Sequence, residues 1–380
     1  VYTDPWTGEG FHDSLFQCLA LQQAARRAVG DGVLPADIVH CHDNHTGMLP
    51  TYLKDQGAPP SVFTIHNLGY QGIYGSDQFW LTGLDPRRFF GYAPFEFHGN
   101  FSLMKSALVM ADKVTTVSPG YAEEILRPEE AYGLDGVLRS RGSDFVGILN
   151  GIDTATWNPA DDPLLPAHYD ADDKSGKAEC KRVLQEMAGL DVSAASPVFG
   201  IVSRVTKQKG LDLLGPLLRW LVDAGGQLVM LGTGDHHTLE LFRGAHGRWP
   251  NRVSLLERYD EEAAHRIYAG SDFFCMPSRF EPCGLTQMYA MRYGAVPIVT
   301  ARGGLRDTVL PYVGHGSGGT GILATWADTH SLWGALDFAL QMFGDGQAFH
   351  EAQDNGMRRD FSWTVSAHQY EGLYRSMLGR

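Results

Sequence analysis

The chain has 380 residues, too many for one ordinary core, because single cores stop growing near ~250–300 residues, and about the right number for two α/β domains. Its formal charge is −13, from 31 basic and 44 acidic side chains, without the clustered Lys and Arg that neutralising a phosphate polymer needs; nucleic acid is excluded as an expected partner, although a helix N-terminus and one or two cations can still hold a small diphosphate. Five widely spaced cysteines, Cys18, Cys41, Cys180, Cys275 and Cys283, form no CxxC pair and read as reduced thiols in the cytoplasm, and the absence of any apolar run near ~18–20 residues argues against a membrane span.

The opening residues VYTDPWTGEG lack the basic and apolar regions of a signal peptide, and the chain runs without an initial Met straight into the amphipathic pattern FHDSLFQCLALQQAARRAV. A segment preceding Val1 is therefore expected. Strand-like runs then alternate with polar or helical stretches: ADIVH, SVFTIH, KVTTVS and FVGILNGI, the signature of βαβ units around a parallel sheet. At the end of the first run stand His40, Cys41, His42, Asp43, Asn44 and His45. They resemble the HxHxDH signature of dinuclear zinc hydrolases, with His40, His42 and His45 as ligands, but Asn44 stands where that motif needs its Asp. The other reading ends a strand at His40 and makes Asp43 a helix cap. His66 is expected at the carboxyl tip of SVFTI and Asn150 at the tip of FVGIL. A lone histidine there is commonly structural, but Asn67 and Asn150 add amides that donate to and accept from sugar hydroxyls.

The polar stretch from Asp161 to Ser196 sets the expected domain boundary, giving a first domain of residues 1–195 and a second of 196–360. The second half restarts with PVFGIVSRV and continues through GQLVMLGTGD, RVSLLE, DFFCMPS and AVPIVT, with helices such as EEAAHRIYAGS between them, which suggests a Rossmann-like sheet of its own. Arg204 and Lys209, five residues apart in SRVTKQKGLDLL, are placed to converge on a diphosphate, whose developing charge preorganised cations stabilise. The LGTGD turn ends in Gly234 and Asp235, and is weak on its own; Tyr259 is a candidate to flank a nucleobase. In SRFEPCGLTQMYAMRYG the amides of Cys283, Gly284, Leu285 and Thr286 head a helix and face phosphate oxygens, while Glu281 either caps that helix or faces a sugar. The final amphipathic stretch, residues 361–380, is expected to pack back across the first domain.

Together HCHDNHTGMLP, VFTIHNLGYQG, GILNGID, VSRVTKQKGLDLL, LGTGD, SRFEPCGLTQ and GGLRDTV resemble, in order, the signature series of bacterial glycogen synthases and plant starch synthases, over nearly the whole chain. The resemblance implies an α/β protein of two Rossmann-like domains facing a cleft, the GT-B architecture, and a retaining transfer of glucose from ADP-glucose to the non-reducing end of an α-1,4-glucan such as glycogen, without a cofactor. It implies that Arg204 and Lys209 bind the diphosphate, Glu281 contacts the transferred glucose, the 283–286 amides hold the distal phosphate, His66 acts near the anomeric carbon, Asp43 and Asn150 line the crevice, and Tyr259 stacks on adenine. Two departures stand out: the family's Lys-x-Gly-Gly-Leu loop is not in the sequence, so the first domain is expected to be incomplete at its start, and Asn44 replaces a usual Trp. Another nucleotide-sugar glycosyltransferase of the same architecture remains an alternative, and a metal-dependent hydrolase using His40, His42 and His45 a more distant one.

Overall fold

In the computed structural model, which describes residues 12–90 and 94–379, the apolar runs become strands buried on both faces, as in sheets covered by helices on either side. The chain divides into two compact units, one of the residues up to Leu149 together with those from His368 on, the other of Asn150–Ala367.

In the first unit α1 (Ser14–Gly30) precedes β1 (Val39–His42), α2 (Leu49–Asp55) and β2 (Ser61–Ile65). A small antiparallel sheet comes next, β3 (Ile73–Gly75), β4 (Glu96–Phe97) and β5 (Asn100–Ser102), then α3 (Leu103–Met110), β6 (Lys113–Thr116), α4 (Pro119–Glu124), α5 (Asp135–Ser140) and β7 (Phe145–Gly147). Among the described residues the main sheet is parallel in the order β1-β2-β6-β7. Its core includes Phe63, Ile65, Met104, Leu108 and Val114. Register decides what meets at its edge: His42 lies beside Thr64, so the residues just after β1 and β2, Asp43 and His66, emerge together.

The second unit runs α6 (Ser175–Met187), β8 (Val198–Val202), α7 (Leu218–Asp223), β9 (Gln227–Leu231), α8 (His236–Arg248), β10 (Val253–Leu256), α9 (Glu261–Gly270), β11 (Phe273–Met276) and α10 (Thr286–Arg292). It closes with β12 (Val296–Thr300), α11 (Gly303–Thr308), β13 (Ile322–Ala324), α12 (Thr329–Gly344) and α13 (Gly346–Met357). All its strands are parallel, in the order β10-β9-β8-β11-β12-β13. Numbered within the unit, this is the doubly wound order whose direction of winding reverses between β8 and β11. Ligands of such sheets bind outside the carboxyl ends of the strands at that reversal.

The observed division falls at 149/150, not at the expected 195/196. Residues 150–195 go with the second unit because α6 is tied to it through buried polar bonds. Lys177 Nζ donates to the carbonyls of Ala269 and Tyr293 at 2.8 and 2.9 Å, and Lys181 pairs with Asp272 at 2.7 Å. The last helix, α14 (Trp363–Met377), starts in the second unit and ends in the first. No helix among the described residues is long and apolar enough to cross a membrane.

Candidate active site

The loop after β8 is pressed against the end of β11 by a glycine. Gly210 has φ 63°, and a Cβ there would stand 2.0 Å from the Pro277 carbonyl oxygen, so no side chain fits. The same loop is clamped from the other side by Arg279, which bonds both carboxylate oxygens of Asp212 at 2.7 Å and the Lys207 carbonyl at 2.9 Å. That approach brings Lys209 Nζ to 2.6 Å from Glu281 Oε2, which also accepts from Ser278 Oγ at 3.1 Å. Glu281 is only 5% exposed. It does not cap the adjoining helix: α10 starts at Thr286 without any side-chain cap, which leaves the amides of Gly284, Leu285 and Thr286 at its head uncapped by side chains. Gly284, at φ 70°, keeps that turn tight, since a Cβ would come within 2.5 Å of Gln287 Oε1. The Cys283 thiol, bonded to the backbone of Asn150, is pushed up to about 12 by burial; its backbone, not a thiolate, is what it offers a ligand.

Arg204 is exposed and makes no ion pair among the described residues. It lines a cavity of about 280 Å³ at the ends of β8 and β9, together with Gly232, Thr233, Tyr259, Trp157 and Tyr289. Tyr259 stands on the rim, 90% exposed. Gly234, φ 145°, is needed because a Cβ would lie 2.1 Å from the Val205 carbonyl oxygen, where the chain forms a bridge beside β9. The structure thus groups Lys209 with Glu281, and Arg204 with Tyr259.

Trp157 was missed by sequence reasoning. Its ring is sandwiched between His265 and Tyr289, each with centroids 4.0 Å away and planes within 17°. His265 Nδ1 meets Asp162 Oδ2 at 2.6 Å, and Tyr293 Oη donates to the same oxygen at 2.6 Å, so a buried polar knot backs this aromatic wall. The available signal was a Trp in a stretch otherwise polar.

In the first unit Asp43 adopts φ 53°, an unusual backbone for a residue with a Cβ and costing about 1–3 kcal/mol. Its carboxylate does not cap the adjoining 3₁₀ turn; it accepts the backbone N–H of His66 at 2.8 Å. His66 Nε2 faces His42 Nδ1 at 3.0 Å. His40 stacks on His42 with centroids 4.3 Å apart, and burial, helped by the neighbouring rings of His42 and His66, lowers it to about 4; His42 is lowered too, mainly by burial. His40 Nδ1 bonds Tyr374 Oη and its Nε2 bonds Thr64 Oγ1, both at 2.6 Å. With both ring nitrogens taken by hydroxyls, His40 does not fit the zinc reading, and no three His, Cys, Asp or Glu side chains among the described residues are grouped to hold a metal ion. Asn67 Oδ1 accepts from Gly69 N at 3.0 Å and closes its own turn; Asn44, buried, donates to the Tyr70 carbonyl at 2.7 Å. Asn150 opens the second unit, beside Cys283.

Comparison with known proteins bears on these groups. The starch synthase catalytic domain family matches residues 1–140, and glycosyl transferases group 1 match residues 196–342. A glycogen synthase of Marinobacter nauticus is 46% identical over 344 residues, covering 90% of this chain and 70% of that protein. One from Rhodopseudomonas palustris is 43% identical, covering 98% and 78%. Among solved structures, the catalytic domain of starch synthase IV from Arabidopsis thaliana, bound to ADP and acarbose, is similar with TM-score 0.91 and 35% identity, covering 99% of this chain and 80% of that one. A sucrose-phosphate synthase of Thermosynechococcus elongatus, TM-score 0.66 at 21% identity over 99% and 82%, shares the fold, that of GT-B glycosyltransferases.

Proposed function

The chain belongs to the glycogen and starch synthase family, and from that premise we propose that it moves glucose from ADP-glucose to the non-reducing end of an α-1,4-glucan, the second unit holding the donor and the first acting on the acceptor. The observation that carries the reading is the contact of Lys209 with Glu281 at 2.6 Å, outside the carboxyl ends of β8 and β11, where the winding of the sheet reverses. Lys209 and Arg204 take up the charge that grows on the departing diphosphate, a state they stabilise more than the bound donor. The uncapped amides of Gly284, Leu285 and Thr286 suit the distal phosphate. Tyr259 gives a flat base an aromatic surface in a cavity that Trp157 and Tyr289 also line. Glu281, already neutralised by Lys209, serves to orient glucose. Retention then results from attack on the face the diphosphate leaves, with that phosphate taking the acceptor's proton. His66, held by Asp43, acts beside the anomeric carbon. Five buried, unpaired thiols support a cytoplasmic setting.

Glucose incorporation into glycogen from ADP-glucose and from UDP-glucose tests the reading. ADP-glucose is expected to be the better donor, and Glu281→Ala and Lys209→Ala are each expected to lower turnover by about 10²–10³. Lys209→Ala also strands a carboxylate that is 5% exposed, so its Tm is expected to drop by several degrees, with Lys209→Ala/Glu281→Gln recovering Tm but not activity. Wild-type turnover in either single variant removes that residue from the mechanism.

A further inference from the structure

We propose that His42 and Tyr374 are positioning residues for His66: through His40 and His42, the end of α14 fixes how the His66 ring is held, and His42 couples the tautomer of that ring to its own. The proposal rests on the reading that His66 acts in glucosyl transfer.

Tyr374 Oη and Thr64 Oγ1 lie 2.6 Å from the two nitrogens of His40, so that ring cannot turn without losing both bonds. Thr64 is itself bonded to Thr115 Oγ1 at 2.5 Å, which anchors the inner end of the chain in the sheet. The fixed His40 ring is a platform for His42, stacked 4.3 Å away with planes 21° apart. His42 is steadied from its backbone as well, its N–H donating to Thr46 Oγ1 at 2.7 Å.

What this platform aims is Nδ1 of His42, facing Nε2 of His66 at 3.0 Å. Two facing imidazole nitrogens bond through one hydrogen, one ring donating and the other accepting; two hydrogens repel and none leaves no bond. The tautomers of His42 and His66 are thereby coupled, one ring presenting N–H wherever the other presents a lone pair. The His66 backbone N–H is bonded to Asp43, and its Nδ1 has no hydrogen-bond partner among the described residues. One polar atom of the ring is left for a sugar, and every other contact of the residue serves to direct it. Tyr374 belongs to the part of the chain that returns to the first unit at His368, so the last residues of the sequence reach the reacting histidine through two rings. Small errors in the placement of such a group cost rate more than affinity.

The experiment uses the full chain, glycogen as acceptor and ADP-glucose as donor, with kcat and donor KM measured for Tyr374→Phe, His42→Ala, His42→Asn, His66→Ala and the His42→Ala/His66→Ala double variant. Ring ¹⁵N shifts of labelled histidine report the tautomer. His42→Ala is expected to lower kcat about tenfold with donor KM unchanged, and Tyr374→Phe about fivefold, the worth of one hydrogen bond. His42→Asn, which returns an amide near the lost Nδ1, is expected to recover most of the rate. The His66 ring shifts are expected to change in His42→Ala, where its Nε2 loses its partner, and the double variant is expected to be no slower than His66→Ala alone. Unchanged kcat in His42→Ala and Tyr374→Phe beside an inactive His66→Ala overturns the proposal and leaves the functional reading standing. So does a double variant slower than His66→Ala by the full His42→Ala factor. Full turnover in His66→Ala overturns the role of His66 itself, and the proposal with it.

Discussion

His40 shows how one side chain couples structure to acidity. Folded, its imidazole is held near 4 by burial and by the rings of His42 and His66, against 6.5 ordinarily. Between those two values the unfolded chain binds a proton that the folded chain refuses, so stability present above pH 6.5 is lost as the pH falls towards 4. Thermal unfolding followed across that range is expected to show Tm falling with acid, and a smaller fall in His40→Asn; equal slopes in the two proteins refute the assignment. Residues like this are only half legible in a sequence. HCHDNH advertised chemistry, and His42 does stand beside His66 with His40 stacked behind it, but the run alone suggested zinc because it says nothing of Thr64 or of Tyr374, 334 residues away from His40. Glu281 and Lys209 were legible because a strand-to-helix turn restricts which residues can stand at its ends. Trp157 was not: its partner His265 lies 108 positions on, by subtraction of residue numbers, and no local pattern encodes that sandwich.

Alternation of apolar runs with helical patterns made both sheets readable, since a strand buried on both faces must be nearly all apolar whatever its partners. The order of strands in the second unit puts the loops after β8 and β11 side by side, and a glycine at 210 lets them touch. The boundary was misread for a related reason. α6 looks like a linker by composition, yet its lysines are buried, Lys181 pairing with Asp272 while the same carboxylate accepts the Val198 N–H at 2.8 Å. Breaking such a pair leaves an isolated charge in the interior. Lys181→Met is expected to cost about 3 kcal/mol of stability, with donor KM unchanged, and Lys181→Met/Asp272→Asn to recover part of it. A variant as stable as the wild type in chemical denaturation contradicts the burial of that pair.

For the whole molecule, charge separates the two substrates. A net charge of −13 repels polyanions at long range, so a donor with two phosphates is captured by local cations against the overall field, while a neutral glucan feels neither. Raising ionic strength is therefore expected to change the donor KM and leave the apparent KM for glycogen unmoved; parallel shifts in both argue against this division of labour. Finally, the chain crosses between its units twice, at 149/150 and again at 367/368. On the ribosome this reverses the usual order of events. Asn150–Ala367 is synthesised as one uninterrupted stretch and is free to fold while translation continues, whereas the earlier-made unit must wait for Tyr374, which is made after it. A stop placed just after Ala367 would thus spare the younger unit and injure the older one.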